Sequence, residues 1–152
     1  MNAGHRLLGG VGRAMSLLAG LALLWAAGCG AEPFGMARVH GKVTYEDGTP
    51  IKAFRIRVIF NPQVKAIDAE TFPRPGEATV NAEDGTFDTV TTHKYGDGLV
   101  VGKHKVQVIS LDERENTTNA VPAVYRDAAT TPLEVDVRSG MGPIELKIKK
   151  QP

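Results

Sequence analysis

Cysteine and histidine are scarce in this chain of 152 residues. Cys29 is the single cysteine, so no intrachain disulfide can form. The four histidines include no His-x-His pair and no pair at i, i+4, the spacings typical of metal sites. The Gly-x-Ser-x-Gly elbow of serine hydrolases is missing as well. These absences leave no catalytic or metal-binding motif, and we expect no catalytic residue, metal or cofactor.

An excess of one charge is also missing. Two of the 18 basic residues, Arg6 and Arg13, lie in residues 1–28, a segment without acidic residues. The rest of the chain contains all 17 acidic residues and is therefore close to neutral. Nucleic-acid binding depends on a basic surface, so no nucleic-acid partner is expected.

The N-terminal segment contains the longest apolar run. His5, Arg6 and Arg13 precede an apolar stretch at residues 15–27, and small residues lead to Gly28-Cys29. Basic, apolar and small residues in this order predict an export signal. The uncharged stretch is 18 residues long, slightly shorter than the about 20 residues that span a bilayer. A retained signal anchor and an ordinary cleaved signal are the alternatives to a lipoprotein signal.

The run Leu24-Trp-Ala-Ala-Gly-Cys29 resembles the lipobox of bacterial lipoproteins. In that family of signals, a small residue precedes a cysteine whose thiol is diacylated before the peptidase cuts on its amino side. The resemblance implies a lipoprotein signal peptide at residues 1–28 and lipid attachment at Cys29. Each buried acyl methylene contributes about 0.8 kcal/mol to membrane binding. We therefore expect a protein of the cell envelope, lipid-anchored to a membrane on the extracytoplasmic side.

Residues 29–36 predict a short tether between the lipid and a folded domain. The seven residues after Cys29 reach at most about 25 Å when extended. A long Ser/Gly linker, which a far-reaching module would need, is missing. The domain is expected to lie close to the membrane.

Apolar and polar residues alternate throughout the chain after residue 36. In residues 53–60, the residues expected to face inward are Phe54, Ile56, Val58 and Phe60. A period of two predicts strands with one buried face and one solvated face. Strands are predicted in seven segments: residues 37–45, 53–60, 77–82, 86–91, 103–109, 133–138 and 144–149.

Asp47-Gly48, Asp84-Gly85 and Asp97-Gly98 lie between these segments. Asp-Gly pairs are typical of tight turns because glycine adopts positive φ without strain. Short alternating strands, frequent turns and no helical segment predict an all-β domain at residues 37–149. The arrangement expected from this pattern is an antiparallel sandwich or barrel.

Four groups of residues in this domain follow one another in a characteristic order. They are Val39-His-Gly-Lys-Val-Thr-Tyr-Glu-Asp-Gly-Thr-Pro50, Asp84-Gly-Thr-Phe87, Gly96-Asp-Gly98 with Gly102-Lys-His-Lys-Val-Gln-Val108, and Val121-Pro-Ala-Val-Tyr125 with Thr131-Pro-Leu133. They resemble the small transthyretin-like, or carboxypeptidase regulatory-like, lipoproteins of bacterial envelopes. The resemblance implies a seven-stranded antiparallel Greek-key sandwich of the prealbumin type, without an enzymatic role.

Gly96-Asp-Gly-Leu-Val-Val-Gly-Lys103 is similar to a phosphate-binding loop, but its spacing differs. A P-loop has four residues between its first glycine and Gly-Lys, then Ser or Thr and a helix. Here neither Gly96 nor Gly98 has that spacing, and His104 and a predicted strand follow. The glycines are expected to form a turn and a bulge.

Three histidines follow the signal segment. His40 and His93 are expected to be solvated, and His104 is expected to be tucked at a strand end. Intradiol dioxygenases bind iron through two histidines and two tyrosines on a β-sandwich, but the close histidine pair is missing here. The tyrosines that could have supplied oxygen ligands are Tyr45, Tyr95 and Tyr125.

Two polar segments are further candidate sites. Residues 112–115 contain three acids and could attract calcium, although a charged loop tip is the expected role. A hydroxyisourate hydrolase of transthyretin-like fold ends in Tyr-Arg-Gly-Ser. Here Tyr125-Arg126-Asp127 is internal, which argues against that activity.

Four outward cations and two long loops are the remaining features. Arg55, Arg57, Lys103 and Lys105 would form a basic stripe if their strands are neighbours, although a solvated face is the commoner explanation.

Residues 61–76 and 111–132 predict long loops, which are either recognition surfaces or pinned to the domain. We expect the Tyr125 ring to pack under a sheet edge while its hydroxyl bonds to the backbone.

The leading interpretation is a lipid-anchored envelope lipoprotein whose non-catalytic β-sandwich is a structural, adhesion or binding module. Its partner would be an envelope protein or a glycan. A carbohydrate-binding module is one alternative, for which the main aromatic candidates are Tyr45, Phe72, Tyr95 and Tyr125. A small hydrolase or metal enzyme is the other alternative, and it lacks a plausible set of residues.

Overall fold

The computed structural model describes residues 33–150. Within this part of the chain, the regular structure is nine β-strands and one short 3-10 helix, Ala123–Tyr125. The strands are β1 (Met36–Ala37), β2 (Gly41–Tyr45), β3 (Arg55–Pro62), β4 (Gly76–Val80), β5 (Thr86–Phe87), β6 (Leu99–Val100), β7 (Gly102–Leu111), β8 (Glu134–Val137) and β9 (Ile144–Ile148). The predicted all-β fold is confirmed. Neither the predicted signal peptide at residues 1–28 nor Cys29 belongs to the described residues.

The strands form three open sheets. The largest has the order β4-β3-β7-β8, the second has the order β5-β2-β9, and β1 pairs with β6. The four-stranded sheet is antiparallel throughout, and Val58 is flanked in register by Ala78 and Val108. β2 and β9 are parallel, which differs from the wholly antiparallel order that was expected. Parallel neighbours need a long crossover, and here six other strands lie between them in the chain.

The long strands β3 and β7 form the centre of the largest sheet. Their inward residues Ile56, Val58, Val106 and Val108 are fully buried. Burying a Val or Ile side chain stabilises the fold by about 1.5–3 kcal/mol relative to exposure. The alternating pattern therefore placed this core correctly.

The two larger sheets share one hydrophobic core. Phe60 of β3 contacts Phe87 of β5 with ring centroids 6.0 Å apart. The second sheet adds Val43, Leu146 and Ile148, all buried in the same cluster. Phe87 was predicted as a core residue, and this is confirmed.

Phe54 corrects the predicted inward face of residues 53–60. Its side chain is 59% exposed, because β3 begins only at Arg55 and Phe54 lies in the preceding bend. The alternation applies only where the backbone is paired in a ladder. Ile51, which the pattern did not select, is fully buried at this end of the core.

The predicted Asp-Gly turns are present. Gly48 and Gly85 both have φ of +82°. In each turn the following threonine donates its N–H and its hydroxyl to the aspartate Oδ1, at 3.0 and 2.7 Å for Asp47 and at 2.9 and 2.7 Å for Asp84. Each aspartate therefore fixes the residue that starts the next segment.

Candidate functional site

Three surface grooves converge on residues 88–98, the segment that joins β5 to β6. The largest has a volume of about 630 Å³ and lies between this segment and β4. A second, of about 350 Å³, lies on the other side and is lined in part by Arg38. Both are lined by Asp88, Thr89 and Tyr95. We call these two grooves together the Tyr95 surface.

Tyr95 stands at the tip of a turn fixed by Asp97. The Asp97 carboxylate accepts the backbone N–H groups of Thr92, His93 and Lys94 at 2.8, 2.9 and 2.8 Å. Burial alone would raise the pKa of this carboxyl, but the three N–H groups outweigh it and the pKa lies below its ordinary value. The Tyr95 side chain is 89% exposed. An aromatic ring thus projects from a backbone that its own turn holds in place.

Gly98 closes the same turn. Its φ is +93°, and a Cβ at this position would overlap the carbonyl oxygen of Ala37. The hydroxyl of Thr92 donates to the Gly98 carbonyl at 2.6 Å. Only glycine fits this backbone without strain, and its close approach to Ala37 places the turn against the end of β1.

The floor of the larger groove is the edge strand β4. Glu77 and Thr91 exchange backbone hydrogen bonds of 2.8 and 2.9 Å, which join the 88–98 segment to β4. The Glu77 carboxylate contacts Arg57, with Nε–Oε1 at 2.7 Å and Nη2–Oε2 at 2.9 Å. This bond and the nearby negative charge raise the pKa of Arg57, although burial opposes them. The ion pair fixes the carboxylate on one side of the groove.

Other polar groups of the Tyr95 surface are unengaged. Within residues 33–150, the Asp88 carboxylate has no hydrogen-bond or ion-pair partner. The hydroxyls of Thr79 and Thr89 likewise make no hydrogen bond inside that part of the chain. These groups can therefore accept or donate hydrogen bonds to a ligand.

A third groove of about 270 Å³ has a different chemistry. Phe34, Phe72 and Val100 line it, together with Arg74 and His93. Phe72 belongs to the long 61–76 segment, which therefore lies beside the same end of the domain. Of the two predicted long loops, this one lines the grooves near Tyr95.

The other long loop, residues 111–132, is pinned to the domain. Tyr125 is only 4% exposed, and its hydroxyl accepts the backbone N–H of Lys149 at 3.0 Å. Thr131 donates its hydroxyl to the Val106 carbonyl at 2.7 Å, and the Gln107 amide donates to the Arg126 carbonyl at 2.8 Å. The predicted role of Tyr125 is confirmed.

The basic stripe that was possible from the sequence does not form, although β3 and β7 are neighbours. Arg55 pairs with Glu115, Arg57 with Glu77, and Lys105 with Glu134. Arg57 lies opposite Ile109 in the ladder, whereas Lys105 lies opposite Asn61, so the cations occupy different parts of the sheet. Each of these three charges is neutralised locally, and together they offer no continuous basic surface.

His104 is a core residue. It is 1% exposed, and its ring meets the Phe60 ring edge-on at 6.5 Å. Nδ1 donates to the Gly102 carbonyl at 3.0 Å, and the buried Nε2 has no partner among the described residues. Burial lowers the pKa of His104, and the bond to Gly102 offsets this only in part. His40 and His93 are exposed, as predicted.

The remaining polar candidates have structural roles. Asp112 accepts the N–H groups of Arg114 and Asn116 at 2.9 and 2.8 Å, which shapes the loop tip. Residues 33–150 contain no group of three or more His, Cys, Asp or Glu side chains that could hold a metal ion. In the same residues, no helix is long and apolar enough to cross a membrane.

Comparison with protein-family models, with curated proteins and with solved structures finds no match for this chain. The geometry of the site therefore carries the functional argument. Sequence reasoning named Tyr95 only as one of several aromatic candidates. The signal that could have selected it is the exposed turn between Asp88 and Asp97-Gly98, where an aromatic ring has no core to pack against.

Proposed function

We propose that the protein is a lipid-anchored lipoprotein of the bacterial cell envelope whose β domain is a non-catalytic binding module. The anchor is Cys29, and the support for it is the lipobox-like run at residues 24–29. The binding surface is the Tyr95 surface. The observation that carries this assignment is an aromatic side chain, 89% exposed, on a turn fixed by three hydrogen bonds to one carboxylate. Groups held in a fixed geometry lose little entropy on binding.

We also propose that the domain is a transthyretin-like, seven-stranded Greek-key sandwich. The support is that the two larger sheets contain three and four strands and share a core through Phe60 and Phe87. The β1–β6 pair is then an addition next to the tether, and the parallel pairing of β2 with β9 is a departure from a wholly antiparallel order.

Metabolic labelling with a fatty acid tests the anchor. Wild-type protein should be labelled and the Cys29→Ser variant should not. Label that persists on the variant contradicts lipid attachment at Cys29.

Cross-linking in cells, followed by mass spectrometry, tests the binding module. We expect the tethered protein and a secreted Cys29→Ala form to capture the same envelope component, and Tyr95→Ala to lose it. Capture by the tethered form alone, with only abundant lipoproteins as neighbours, contradicts a specific binding module. The chain would then have a structural role.

A further inference from the structure

The Tyr95 surface combines an exposed aromatic ring with unengaged oxygen groups. We propose that this surface binds a linear glycan, with one sugar ring stacked on Tyr95 and its neighbours extending into the two flanking grooves. The inference rests on the proposed role as a binding module and deepens it by naming the ligand class. It does not depend on lipid attachment at Cys29.

Tyr95 is the stacking platform of this surface. Tyr95 is 89% exposed, far more than an aromatic side chain that contributes to a core. Tyrosine presents an apolar face and a polar tip, which matches a sugar ring with C–H groups on one face and hydroxyls at its rim. Asp97 holds the turn through three N–H groups, so the ring projects from a fixed backbone.

Hydrogen-bonding groups lie in the larger groove beside this platform. A sugar hydroxyl both donates and accepts, and carboxylates and threonine hydroxyls are suitable partners for it. Asp88, Thr79 and Thr89 line the larger groove and make no side-chain hydrogen bond within residues 33–150. Arg57 contacts the Glu77 carboxylate through Nε and Nη2, so this carboxylate has a fixed direction. Bonds to a charged acceptor are stronger than bonds between neutral groups.

The shape of the surface indicates an extended ligand. The grooves of about 630 and 350 Å³ share Asp88, Thr89 and Tyr95, so a chain can pass from one to the other beside the ring. Each volume lies in the range of about 300–1,000 Å³ usual for small-ligand sites. A linear chain of several sugar rings fits this arrangement better than a compact ligand.

The charge of the surface disfavours other ligand classes. The Asp88 carboxylate lines both grooves and would repel a phosphate group beside Tyr95, which argues against nucleic acid and anionic lipid head groups. The larger groove is lined mainly by threonines and carboxylates, which argues against an acyl chain. A neutral ligand rich in hydroxyl groups is not repelled by a carboxylate and can form hydrogen bonds with this polar lining.

Binding titrations with the purified full chain test the proposal. The probes are chitohexaose, cellohexaose and solubilised peptidoglycan strands, measured by isothermal titration calorimetry. We expect wild-type protein to bind at least one probe and Tyr95→Ala to weaken that binding by about tenfold or more, equivalent to about 1.4 kcal/mol. Tyr95→Phe should keep most of the affinity because the ring remains. Asp88→Asn should weaken binding several-fold.

Phe54→Ala is the matched control, because Phe54 is also an exposed aromatic residue, 59% exposed, but does not line the Tyr95 surface. Its affinity should equal that of wild-type protein. Equal binding by wild-type protein and Tyr95→Ala would overturn the proposal, and so would no binding of any probe. Equal weakening by Phe54→Ala would also overturn it.

The same titrations on Cys29→Ser separate the two proposals. If wild-type protein carries no fatty-acid label but both forms show Tyr95-dependent binding, the glycan site stands and only the anchor is wrong. If the label is present and no probe is bound, the anchor stands and the ligand class is wrong.

Discussion

The hydroxyl of Tyr125 accepts the backbone N–H of Lys149 at 3.0 Å and so joins the 111–132 segment to the chain just after β9. The ring itself is buried in the core, at 4% exposure. β9 is an edge strand whose partner in the sheet is β2. The Tyr125 side chain therefore connects the 111–132 segment to both the core and the edge strand β9.

Removing only the Tyr125 hydroxyl should cost little, and removing the ring should cost much more. Tyr125→Phe should lower the free energy of unfolding by about 1 kcal/mol, the usual contribution of one hydrogen bond. Tyr125→Ala should lower it by about 3 kcal/mol or more, because a cavity remains. Urea denaturation measures both. Equal losses for the two variants would contradict separate roles for the ring and the hydroxyl. The control is Tyr95→Ala, at an exposed position, which should change the free energy of unfolding by less than about 0.5 kcal/mol.

His104 should make the fold sensitive to mild acid. Its pKa is lowered by burial, so the folded state favours the neutral ring and the unfolded state binds the proton more readily. Full stability is therefore present above the ordinary histidine pKa of about 6.5 and falls as the pH drops below it. Its ladder neighbours Pro62 and Val135 do not titrate, and its ring neighbour is Phe60.

Unfolding free energies measured from pH 7.5 to pH 5 would check this. His104→Leu should flatten the pH dependence in that window, whatever its effect on stability at neutral pH. The matched control is His93→Gln, at an exposed position, which should leave the slope unchanged. If the unfolding free energy of His104→Leu still falls between pH 7.5 and pH 5, another group causes the acid sensitivity.

The strands could be predicted because burial on one face imposes a period of two. Ile56, Val58 and Phe60 are buried as that period requires. Phe54 breaks this period because the pairing of β3 with β7 starts only at Arg55. Where a pairing starts depends on both strands, so the alternation within one strand does not reveal it. The parallel pairing of β2 with β9 was not predictable for the same reason, since these two strands are adjacent in the sheet but far apart in the sequence.

The candidate site was less predictable than the core. Asp97-Gly98 could be recognised as a turn, because the requirement for positive φ is local. The grooves beside Tyr95 depend on the approach of β4 to the 88–98 segment through the Glu77–Thr91 backbone bonds. The possible basic stripe is also absent because of contacts between segments distant in the sequence. Arg57 pairs with Glu77, and Lys105 pairs with Glu134.

Gly98 should tolerate no side chain. Gly98→Ala would place a methyl group against the Ala37 carbonyl at a φ of +93°, and strain of this kind costs about 1–3 kcal/mol. The loss should appear as a lower midpoint of thermal unfolding. Gly142→Ala is the matched control, because no atom lies within 4 Å of the Cβ it would add. Similar midpoints for the two variants would contradict the close approach of β1 and the turn.

Asp97 should control the local stability of the Tyr95 turn. Asp97→Ala removes the acceptor of three N–H groups, those of Thr92, His93 and Lys94. We expect these amides to exchange hydrogen much faster, because their protection depends on that acceptor. Amides of the buried β3–β7 ladder, such as Val58, should exchange as in wild-type protein. Glycan binding should weaken together with the protection of the turn, since a mobile platform must be ordered when the ligand binds. If the three amides lose protection and the affinity stays unchanged, the turn does not preorganise the site, and Tyr95 acts without support from Asp97.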